Sequence, residues 1–430
     1  MLFPRLLAAA AVAAAARAQI DPGKDLNAYL AEKMDKRVAV SFESRQRAED
    51  RTGIVFGRDR DIAADFLRLR VGLTVRPFTW MKISGLAQDT RSAAYGGIEP
   101  GTVKDPIDLQ EGYIDLFSSK QLGPGLTVGR QMLNYGDTRL IGSPQWAYAA
   151  RTWDTARLYW VTKKMKLEFM SLSTIVPRSD SFNKPILGDR IWGMYDTFKD
   201  VLGKTVVDVY VLRHDQNRPG GFTGVGTLGI NLYGTRWAIP LVRGFRFTTE
   251  GVLQTGKNGI LAHRAAGWVG QIGYKTAIRK RPVDFANEYK YASGTNPASG
   301  RSGTFDQLYP AAHDKFGTMD MIGWRNVHNV KSMTSFGLRK TWNWVLMYNN
   351  SWLADPRDAA YSAQGRPVAR APRGDAGRHI GQEIDLYSNY LWGGVTLGAG
   401  IGQFFPGGFI RRTTPGAHSR LLFLTTSYSF

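Results

Sequence analysis

The sequence predicts an all-β protein: a transmembrane antiparallel β-barrel of 18 strands with short periplasmic turns and long extracellular loops. Three features predict this fold, namely an exported leader, many short segments of alternating apolar and polar residues, and an alternating segment that ends in Phe430. A bilayer admits only helices and closed barrels, because every backbone group inside it must be paired within the protein. After residue 19 there is no run of about 20 apolar residues, the length that a membrane helix needs, so we expect strands to cross the membrane.

Residues 1–19 form the expected signal peptide. Arg5 precedes an alanine-rich apolar run, and Ala16-Arg17-Ala18 has the small-x-small form of a cleavage site. A membrane anchor is the alternative, but the apolar run is shorter than a bilayer requires. Residues 20–36 are then expected as a periplasmic N-terminal segment, either a short helix or a disordered leader, and residues 37–430 as the outer-membrane barrel.

The charge of the chain predicts an anionic partner. The formal charge is +20, and it falls by two to +18 when the leader is removed with its two arginines. An exported protein rarely meets nucleic acid, so the expected partners are an anionic polysaccharide or uronate, together with outer-membrane lipid and lipopolysaccharide. The chain has no cysteine, and its 6 histidines lack metal-ligand spacing, so neither a metal nor another cofactor is expected.

Residues 65–76 carry the clearest strand pattern. Since side chains on a strand alternate between its two faces, this segment has an apolar face and an arginine face. The apolar face holds Leu67, Leu69, Val71, Leu73 and Val75, and the other face holds Arg68, Arg70 and Arg76. In a membrane barrel the apolar face meets lipid and the arginines line a wet lumen.

The strand count follows from the connections. Nineteen segments have strand character: 37–48, 63–76, 80–90, 108–118, 125–131, 155–161, 165–176, 190–198, 204–213, 225–236, 244–255, 264–276, 282–292, 322–330, 333–341, 344–353, 380–391, 394–404 and 419–430. A single-chain bacterial barrel has an even number of strands, with short turns alternating with longer loops. The connection 256–263 is among the predicted long loops. Short and long connections then alternate if residues 293–332 form a single long loop, so that segment 322–330 is not a strand of the wall. Eighteen strands then remain, enough for an aqueous channel, with inward-folding loops expected at 132–154, 293–332 and 354–379.

Side-chain parity assigns charged residues to the lumen, since a cation on the lipid face would cost about 2–4 kcal/mol at the midplane. The predicted lumenal residues are Arg45, Arg47, Arg68, Arg70, Arg157, Arg246, Arg339, Glu111, Asp115, Glu250, Glu288, Glu383 and Asp385. Because arginines outnumber the carboxylates in this set, an anion that passes through the lumen would meet several weak binding sites in succession. The planar guanidinium group also suits a sugar carboxylate, because it can bind both oxygens at once.

Several motifs resemble the alginate export porin family. They are Leu126–Gln131 (LTVGRQ), Tyr135–Gly142 (YGDTRLIG), Arg151–Asp154 (RTWD), Gly303–His313 (GTFDQLYPAAH), Gly323–Asn326 (GWRN), Gly381–Leu386 (GQEIDL) and Phe404–Gly407 (FFPG). The resemblance implies an 18-stranded outer-membrane barrel with an electropositive constriction that passes polyuronate outward. By family position it adds Arg130, Arg139, Arg151, Arg157 and Arg325 as pore residues, with Asp137, Asp154 and Asp306 as their partners. The YGDTRLIG form is that of the broad family rather than of its dedicated alginate exporters, so the substrate stays open.

The predicted function is an outer-membrane channel that passes an anionic polysaccharide or sugar acid, such as an alginate-like polyuronate, with export favoured over uptake. The alternatives are a general anion-selective porin and a non-conducting surface anchor for acidic capsule polysaccharide. Glu383 and Asp385 lie about 6–7 Å apart along one strand, a spacing that could serve inverting glycoside hydrolysis. Lumenal acids beside arginines are the favoured interpretation, so no enzyme and no catalytic residue is predicted. Periplasmic export or scaffold proteins are a further expected class of partner.

Overall fold

The computed structural model describes residues 22–94, 104–118, 121–217 and 226–430, so the predicted signal peptide lies outside the described residues. The strands are β1 Val38–Thr52, β2 Ile62–Phe78, β3 Met81–Ala94, β4 Asp105–Phe117, β5 Gly123–Gln131, β6 Trp153–Val161, β7 Met165–Val176, β8 Lys184–Pro185, β9 Asp189–Phe198, β10 Val206–Gln216, β11 Leu228–Pro240, β12 Phe245–Asn258, β13 Leu261–Ile278, β14 Arg281–Ala292, β15 Val327–Arg339, β16 Trp342–Leu353, β17 Ala359–Tyr361, β18 Pro367–Arg370, β19 His379–Trp392, β20 Val395–Pro406 and β21 Ser419–Ser429. The helices are α1 Pro22–Lys33 and α2 Gly408–Thr413, with 3-10 turns at Ile54–Gly57, Val242–Gly244 and Pro297–Ser299.

Eighteen of these strands form a closed antiparallel barrel, which confirms the predicted fold and strand number. Each wall strand pairs with the next along the chain, and β1 pairs with β21 to close the wall. The short strand β8 pairs with β7 alone, and β17 pairs with β18 in a separate hairpin, so these three lie outside the count. Closure removes the free edges that an open sheet would present to lipid.

Short turns and longer connections alternate around the barrel, except at the connection between β12 and β13. We call the end that carries most of the short turns the turn end and the opposite end the loop end. Residues 279–280 form a tight turn at the turn end, with Arg279 at φ 50° and Lys280 at φ 63°. Two successive left-handed residues are what a two-residue hairpin needs if its twist is to match that of its strands.

Two predicted connections are wrong in their bounds. The connection 256–263, predicted to be long, is a tight turn, because Asn258 pairs directly with Leu261. Strand β15 runs unbroken from Val327 to Arg339, so the separate segment 322–330 does not exist and the preceding loop ends at residue 326. The two polar residues Lys331 and Ser332, which separate the predicted segments, lie within β15, and Lys331 is buried on its inner side.

The faces of β2 follow the predicted alternation. Leu67, Val71 and Leu73 are exposed on the outer surface, whereas Arg68 and Arg70 are each only 4% exposed on the inner side. The apolar band that these exposed residues share with other strands is the surface that a barrel turns to lipid.

The turn end carries the closing contacts of the wall. The Phe42 and Phe430 rings stack with their centroids 5.8 Å apart, and Phe430 N donates to Phe42 O at 3.1 Å. Helix α1 is held nearby, because the Asn27 side chain accepts from Val40 N and donates to Val40 O, both at 2.9 Å.

Within the described residues, no helix has the length and the apolar character required to cross a bilayer.

Candidate functional site

Two long loops occupy the loop-end half of the barrel interior. Loop A is residues 132–152, between β5 and β6, and loop B is residues 293–326, between β14 and β15. They pair with each other through backbone hydrogen bonds, from Tyr309 N to Leu140 O at 2.8 Å and from Ala311 N to Thr138 O at 3.0 Å. Ile141 of loop A and Phe305 of loop B are almost completely buried in one apolar cluster. The two loops therefore form one packed layer inside the wall.

A third loop covers this layer. Loop C is residues 354–378 and contains the β17–β18 hairpin. Its Ala363 O accepts from the Gln307 side chain at 2.7 Å, and its Gly365 O accepts from Arg325 at 3.1 Å. These two hydrogen bonds join loop C to loop B, and Arg325, which belongs to one of the family motifs, donates one of them.

Four predicted lumenal arginines form one group, which we call the arginine cluster: Arg45, Arg47, Arg68 and Arg70. They lie on β1 and β2, whose register places Arg45 opposite Arg68. The clustering follows from the sequence, because antiparallel neighbours with arginines of the same inward parity must bring them side by side.

The arginine cluster binds the tip of loop A. Arg45 donates to Gln145 O at 2.6 Å, and Arg68 donates to both Gln145 O and Ala147 O at 3.0 Å. Arg47 donates to Trp146 O at 2.7 Å, and its guanidinium carbon lies 3.9 Å from the centroid of the Trp146 ring. The arginine cluster therefore binds three consecutive backbone carbonyl groups, which carry no net charge.

Among the described residues, two carboxylates contact the arginine cluster directly. Glu43 accepts from Arg68 at 2.7 Å and from Arg70 at 3.2 Å, and Glu49 lies 2.7 Å from Arg47. With four guanidinium groups and two carboxylates, this part of the inner wall keeps a positive excess.

Acidic wall residues bind the other side of loop A. The predicted pore residue Arg139 donates to Glu288, and its Nε lies 4.0 Å from Glu250. Glu288 also lies 2.7 Å from Lys290, and Glu250 accepts from Tyr210 at 2.8 Å. Loop A therefore spans the lumen, with its carbonyl groups on cations at one wall and its arginine on anions at another.

Glu383 and Asp385 hold the tip of loop B. Asp385 accepts from the Thr318 hydroxyl at 2.6 Å, and Glu383 accepts from Met319 N at 2.9 Å. Both carboxylates are about 1% exposed or less, and a side chain at Gly317 would collide with Glu383. The geometry assigns this pair to loop attachment, and the described hydrogen bonds and ion pairs of the two carboxylates include no arginine, the neighbour that the sequence predicts.

Asp306 anchors the middle of loop B to the wall. Its carboxylate lies 2.8 Å from His214 Nδ1, and its backbone is bound on both sides by Gln254. Burial works against ionisation of this carboxyl, but the hydrogen bond and charge of His214 and the charge of Arg325 outweigh burial and lower the pKa of Asp306. The sequence indicated an arginine partner for Asp306, but its direct partner is a histidine.

The other predicted site residues are dispersed. Arg151 donates to Pro310 O at 3.0 Å, which adds to the joint between loops A and B. Arg157 lies 3.3 Å from Glu168 on the inner face, and Glu111 accepts from Met132 N at 2.8 Å. Each of these contacts braces a loop or the wall.

Two predicted pore residues lie elsewhere. Arg130 shares its parity on β5 with the exposed Leu126 and Val128, and it pairs with Asp154 at 2.9 Å. Arg339 is exposed at the turn end, where a bulge between Gly337 and Arg339 shifts it from the alternation of its strand. The family position of Arg130 conflicts with its parity, which indicates the outer face, whereas the bulge that displaces Arg339 leaves no trace in a parity count.

Sequence reasoning missed three kinds of contact. His214 has the parity of the buried Asp208 on the same strand, so the alternation of β10 predicts that it faces inward. Arg236 pairs with Asp208 at 3.1 Å, and the sequence analysis assigns no inward residue to its strand. The carbonyl groups of residues 145–147 left no signal in the sequence, because every residue has one.

The turn-end half of the lumen is wetter. Arg246 pairs with Asp284 at 2.7 Å, and these inward-facing side chains keep 29% and 25% of their surface exposed. Asp115 accepts from Tyr159 at 2.8 Å and lies 3.8 Å from Lys82. We call this region, lined by partly exposed ion pairs, the vestibule.

Between loops A and B lies a small cavity with room for about one water molecule. Its lining consists of Arg139, Gln307, Pro310, Ala312, Lys315, Phe316 and Trp324. Ligand pockets are usually about 300–1,000 Å³, so this cavity is far too small for a sugar and the loops stand in a closed arrangement. Across the described residues, no group of three or more histidine, aspartate or glutamate side chains could hold a metal ion.

Comparison with known families gives one match over most of the chain. A family model described as "Alginate export" matches residues 36–423. A search among curated proteins finds no match.

Solved structures give the same fold at low sequence identity. OpdQ of Pseudomonas aeruginosa is 11% identical, with a TM-score of 0.63 over 91% of this chain and 98% of that one. OccK3 (OpdO) of the same organism is 11% identical, with a TM-score of 0.59 over 91% and 95%. OpdK, also from Pseudomonas aeruginosa and solved with vanillate, is 9% identical, with a TM-score of 0.61 over 91% and 98%. The matched family and structures are outer-membrane channel proteins rather than enzymes.

Proposed function

Because this chain belongs to the alginate export family and is an outer-membrane channel, we propose that it passes an anionic sugar polymer of the polyuronate class out of the cell. In this membrane the turn end is periplasmic and the loop end is extracellular. The arginine cluster is the observation that carries the proposal.

The arginine cluster suits a row of carboxylates better than it suits loop A. Arg45, Arg47 and Arg68 bind neutral carbonyl oxygens, whereas a hydrogen bond between a guanidinium group and a carboxylate is roughly twice as strong as a neutral one. A polyuronate carries one carboxylate per sugar and could replace the tip of loop A as the ligand. Loop A then lowers the open fraction of the channel when no polymer is present, without closing it completely.

The vestibule supports entry from the periplasm. Arg246 faces the lumen and keeps part of its surface in water, so it can attract an anion without first losing its own hydration. The positive charge of the whole chain, +20 before removal of the leader, works in the same direction.

Planar-bilayer recording tests the proposal. The purified barrel should conduct with anion selectivity, and oligouronate should block it at concentrations where a neutral oligosaccharide of equal length does not. Cation selectivity, or equal block by both sugars, would contradict the proposal. Anion selectivity without block by oligouronate supports the general porin, and polymer binding without conductance supports the surface anchor.

A matched pair of variants locates the selectivity. Arg246→Gln should lower the anion-to-cation permeability ratio about 1.5- to 5-fold, since a partly hydrated charge contributes about 0.2–1 kcal/mol. Arg91→Gln is the control, because Arg91 also pairs with an aspartate, at 2.7 Å, but lies on the outer face. Equal effects of the two variants would show that net charge rather than the lumen sets the ratio.

Direction is tested in cells that make the polymer. Loss of the channel should leave polymer in the periplasm and remove it from the medium, and the wild-type chain should restore secretion. Unchanged secretion together with lost growth on oligouronate would indicate uptake.

A further inference from the structure

Basic side chains on the outer face of the barrel gather at the loop end of five neighbouring strands, β9 to β13, and each of these strands except β11 carries one. We call them the outer cation patch: Arg190, Arg213, Lys257 and Arg264. Each shares its parity with lipid-facing residues of its own strand, such as Met194, Val211, Leu253 and Trp268, which are 42–62% exposed. The patch therefore points away from the lumen and serves no step of the proposed channel.

The strand register brings these cations together. One row across the strands contains Arg213, Asn231, Thr255 and Arg264, and the next row toward the loop end contains Arg190, Asp215, Gly229 and Lys257. Neighbouring strands lie about 4.8 Å apart, so the patch spans about 15 Å from β10 to β13.

A glycine leaves room for one of the cations. Gly229 lies between Asp215 and Lys257 in its row, and a side chain there would collide with the Arg213 guanidinium group. That group therefore lies over the glycine, where it also donates to Asn231 Oδ1 at 3.2 Å. The charge of Arg213 is thereby placed over β11, the strand next to the one that carries Lys257.

The charge of the outer cation patch is largely uncompensated. Its acid Asp215 is engaged by Arg213 at 2.8 Å and by Trp192 at 3.1 Å. In the part of the chain that the structure describes, the side chains of Arg190, Lys257 and Arg264 have no hydrogen bond or ion pair. Exposed Arg301 adds a further cation beside β13, because its neighbour Ser302 pairs with His263.

The position of the patch points to a lipid. The row next to that of Arg213, two residues nearer the turn end, is an apolar surface that contains Met194, Val211 and Leu253. Trp192 lies in the row of Arg213 itself, at the level where membrane barrels carry a girdle of aromatic residues. An amphiphile with acyl chains on the apolar rows would hold its headgroup against the cations. A soluble anion would gain nothing from those rows.

We propose that the outer cation patch is a binding site for the phosphate groups of a phosphorylated glycolipid, the lipopolysaccharide type of the outer leaflet. Arginine binds phosphate through two parallel hydrogen bonds, and lysine binds it as a point charge. Phosphates placed over Gly229 meet Arg213 and Lys257 together, with Arg190 and Arg264 at the sides. The acyl chains then cover the apolar rows and seal this sector of the wall.

Native mass spectrometry of the full-length barrel tests the site. The protein is loaded in detergent with diphosphorylated lipid A or with the same lipid after phosphate removal. Wild-type protein should retain the phosphorylated form at least tenfold better. Lys257→Gln/Arg264→Gln should lose most of that preference, whereas the matched variant Arg91→Gln/Arg420→Gln, which removes two outward cations elsewhere at the loop end, should keep it.

Three results would overturn the site: equal retention of both lipids by the wild type, equal losses in both double variants, or displacement of the lipid by soluble polyuronate at concentrations where inorganic phosphate has no effect. The last result would assign the patch to capture of the polymer. Both double variants should keep wild-type conductance, because their residues lie outside the lumen. A failure of the lipid site is therefore distinguishable from a failure of the channel.

Discussion

At the scale of single residues, the role of each inward-facing charged side chain depends on the groups that it contacts as well as on the sign of its charge. Arg68 reaches two carbonyl groups and a carboxylate at once, which needs the forked donors of a guanidinium group. Lysine at this position would keep the charge and lose most of the contacts. On the acidic side, Asp385 receives both the hydroxyl and the backbone amide of Thr318.

Asp306 gives a prediction at this scale. Asp306→Asn should lower the free energy for local opening of residues 305–308 by about 1.5–3 kcal/mol, the usual worth of a hydrogen bond to a charged group. Native-state hydrogen exchange measures this opening. Asp375→Asn is the control, because Asp375 pairs with Arg373 on the exposed surface and such pairs contribute little. Unchanged hydrogen exchange at residues 305–308 in this variant would show that Asp306 does not anchor loop B.

The same carboxyl sets a pH dependence. Since its pKa is lowered from the ordinary 3.8, the ionised form favours the docked loop, and this stabilisation is present at any pH above the ordinary value. It is lost as the pH falls below 3.8 toward the lowered pKa. We expect exchange at residues 305–308 to be constant from pH 5 to 8 after correction for intrinsic rates. A rise in opening already at pH 6 would contradict this assignment.

At the scale of elements, loop A acts as a strap across the lumen. Its tip is held mainly through backbone carbonyl groups, which bind the arginines of β1 and β2, and the side chains of Gln145 and Trp146 add contacts to Arg70 and Arg47. Because its far side is held by Arg139 and Glu288, release of the tip need not detach the whole loop.

This hold gives a prediction for gating. Arg45→Gln/Arg68→Gln removes five of the described hydrogen bonds to residues 145–147 and should raise both hydrogen exchange at the tip and the open fraction of the channel. At about 0.5–1.5 kcal/mol net for each bond, opening of the tip should become easier by several kcal/mol. Arg91→Gln again serves as the control. A tip that stays protected in the double variant would show that the layer of loops A and B holds it alone.

At the scale of the whole molecule, one wall serves three environments. Its outer face meets lipid, its loop-end interior is packed like a protein core, and its vestibule stays partly wet. Antiparallel strands allow this because alternate side chains belong to different faces. The same chain can therefore be polar on average and still cross a membrane.

Closure of the wall gives a prediction at this scale. Phe430→Ala removes the ring contact with Phe42 and should destabilise the closing seam of β1 and β21 by about 0.5–1.5 kcal/mol in addition to the lost burial. The folded fraction after insertion into lipid, read from the heat-dependent gel shift of barrels, should fall. Phe182→Ala is the control, since Phe182 is 71% exposed in a loop. Equal folded fractions for both variants would exclude a role of this contact in closure.

Much of the architecture could be predicted from the sequence because it depends on periodicity. Alternation placed Leu67 and Arg68 on opposite faces, and the ordering of short and long connections led to 18 strands, as found. The motifs led to the family, which the match over residues 36–423 confirms. Alternation failed where a bulge interrupts it, as at Arg339, and where two polar residues in succession, Lys331 and Ser332, lie within one strand.

By itself, the sequence determined which residues face inward, since parity is a local property of each strand. What those residues bind was decided only by the tertiary structure. Arg68 meets the backbone of residues 145 and 147, about 80 positions away along the chain, and a carbonyl group has no identity in a sequence. Asp306 meets His214 because loop B crosses the barrel. The alternation of β2 is enough to predict that its arginines face inward. That they bind loop A depends on how the loops fill the interior of the closed barrel.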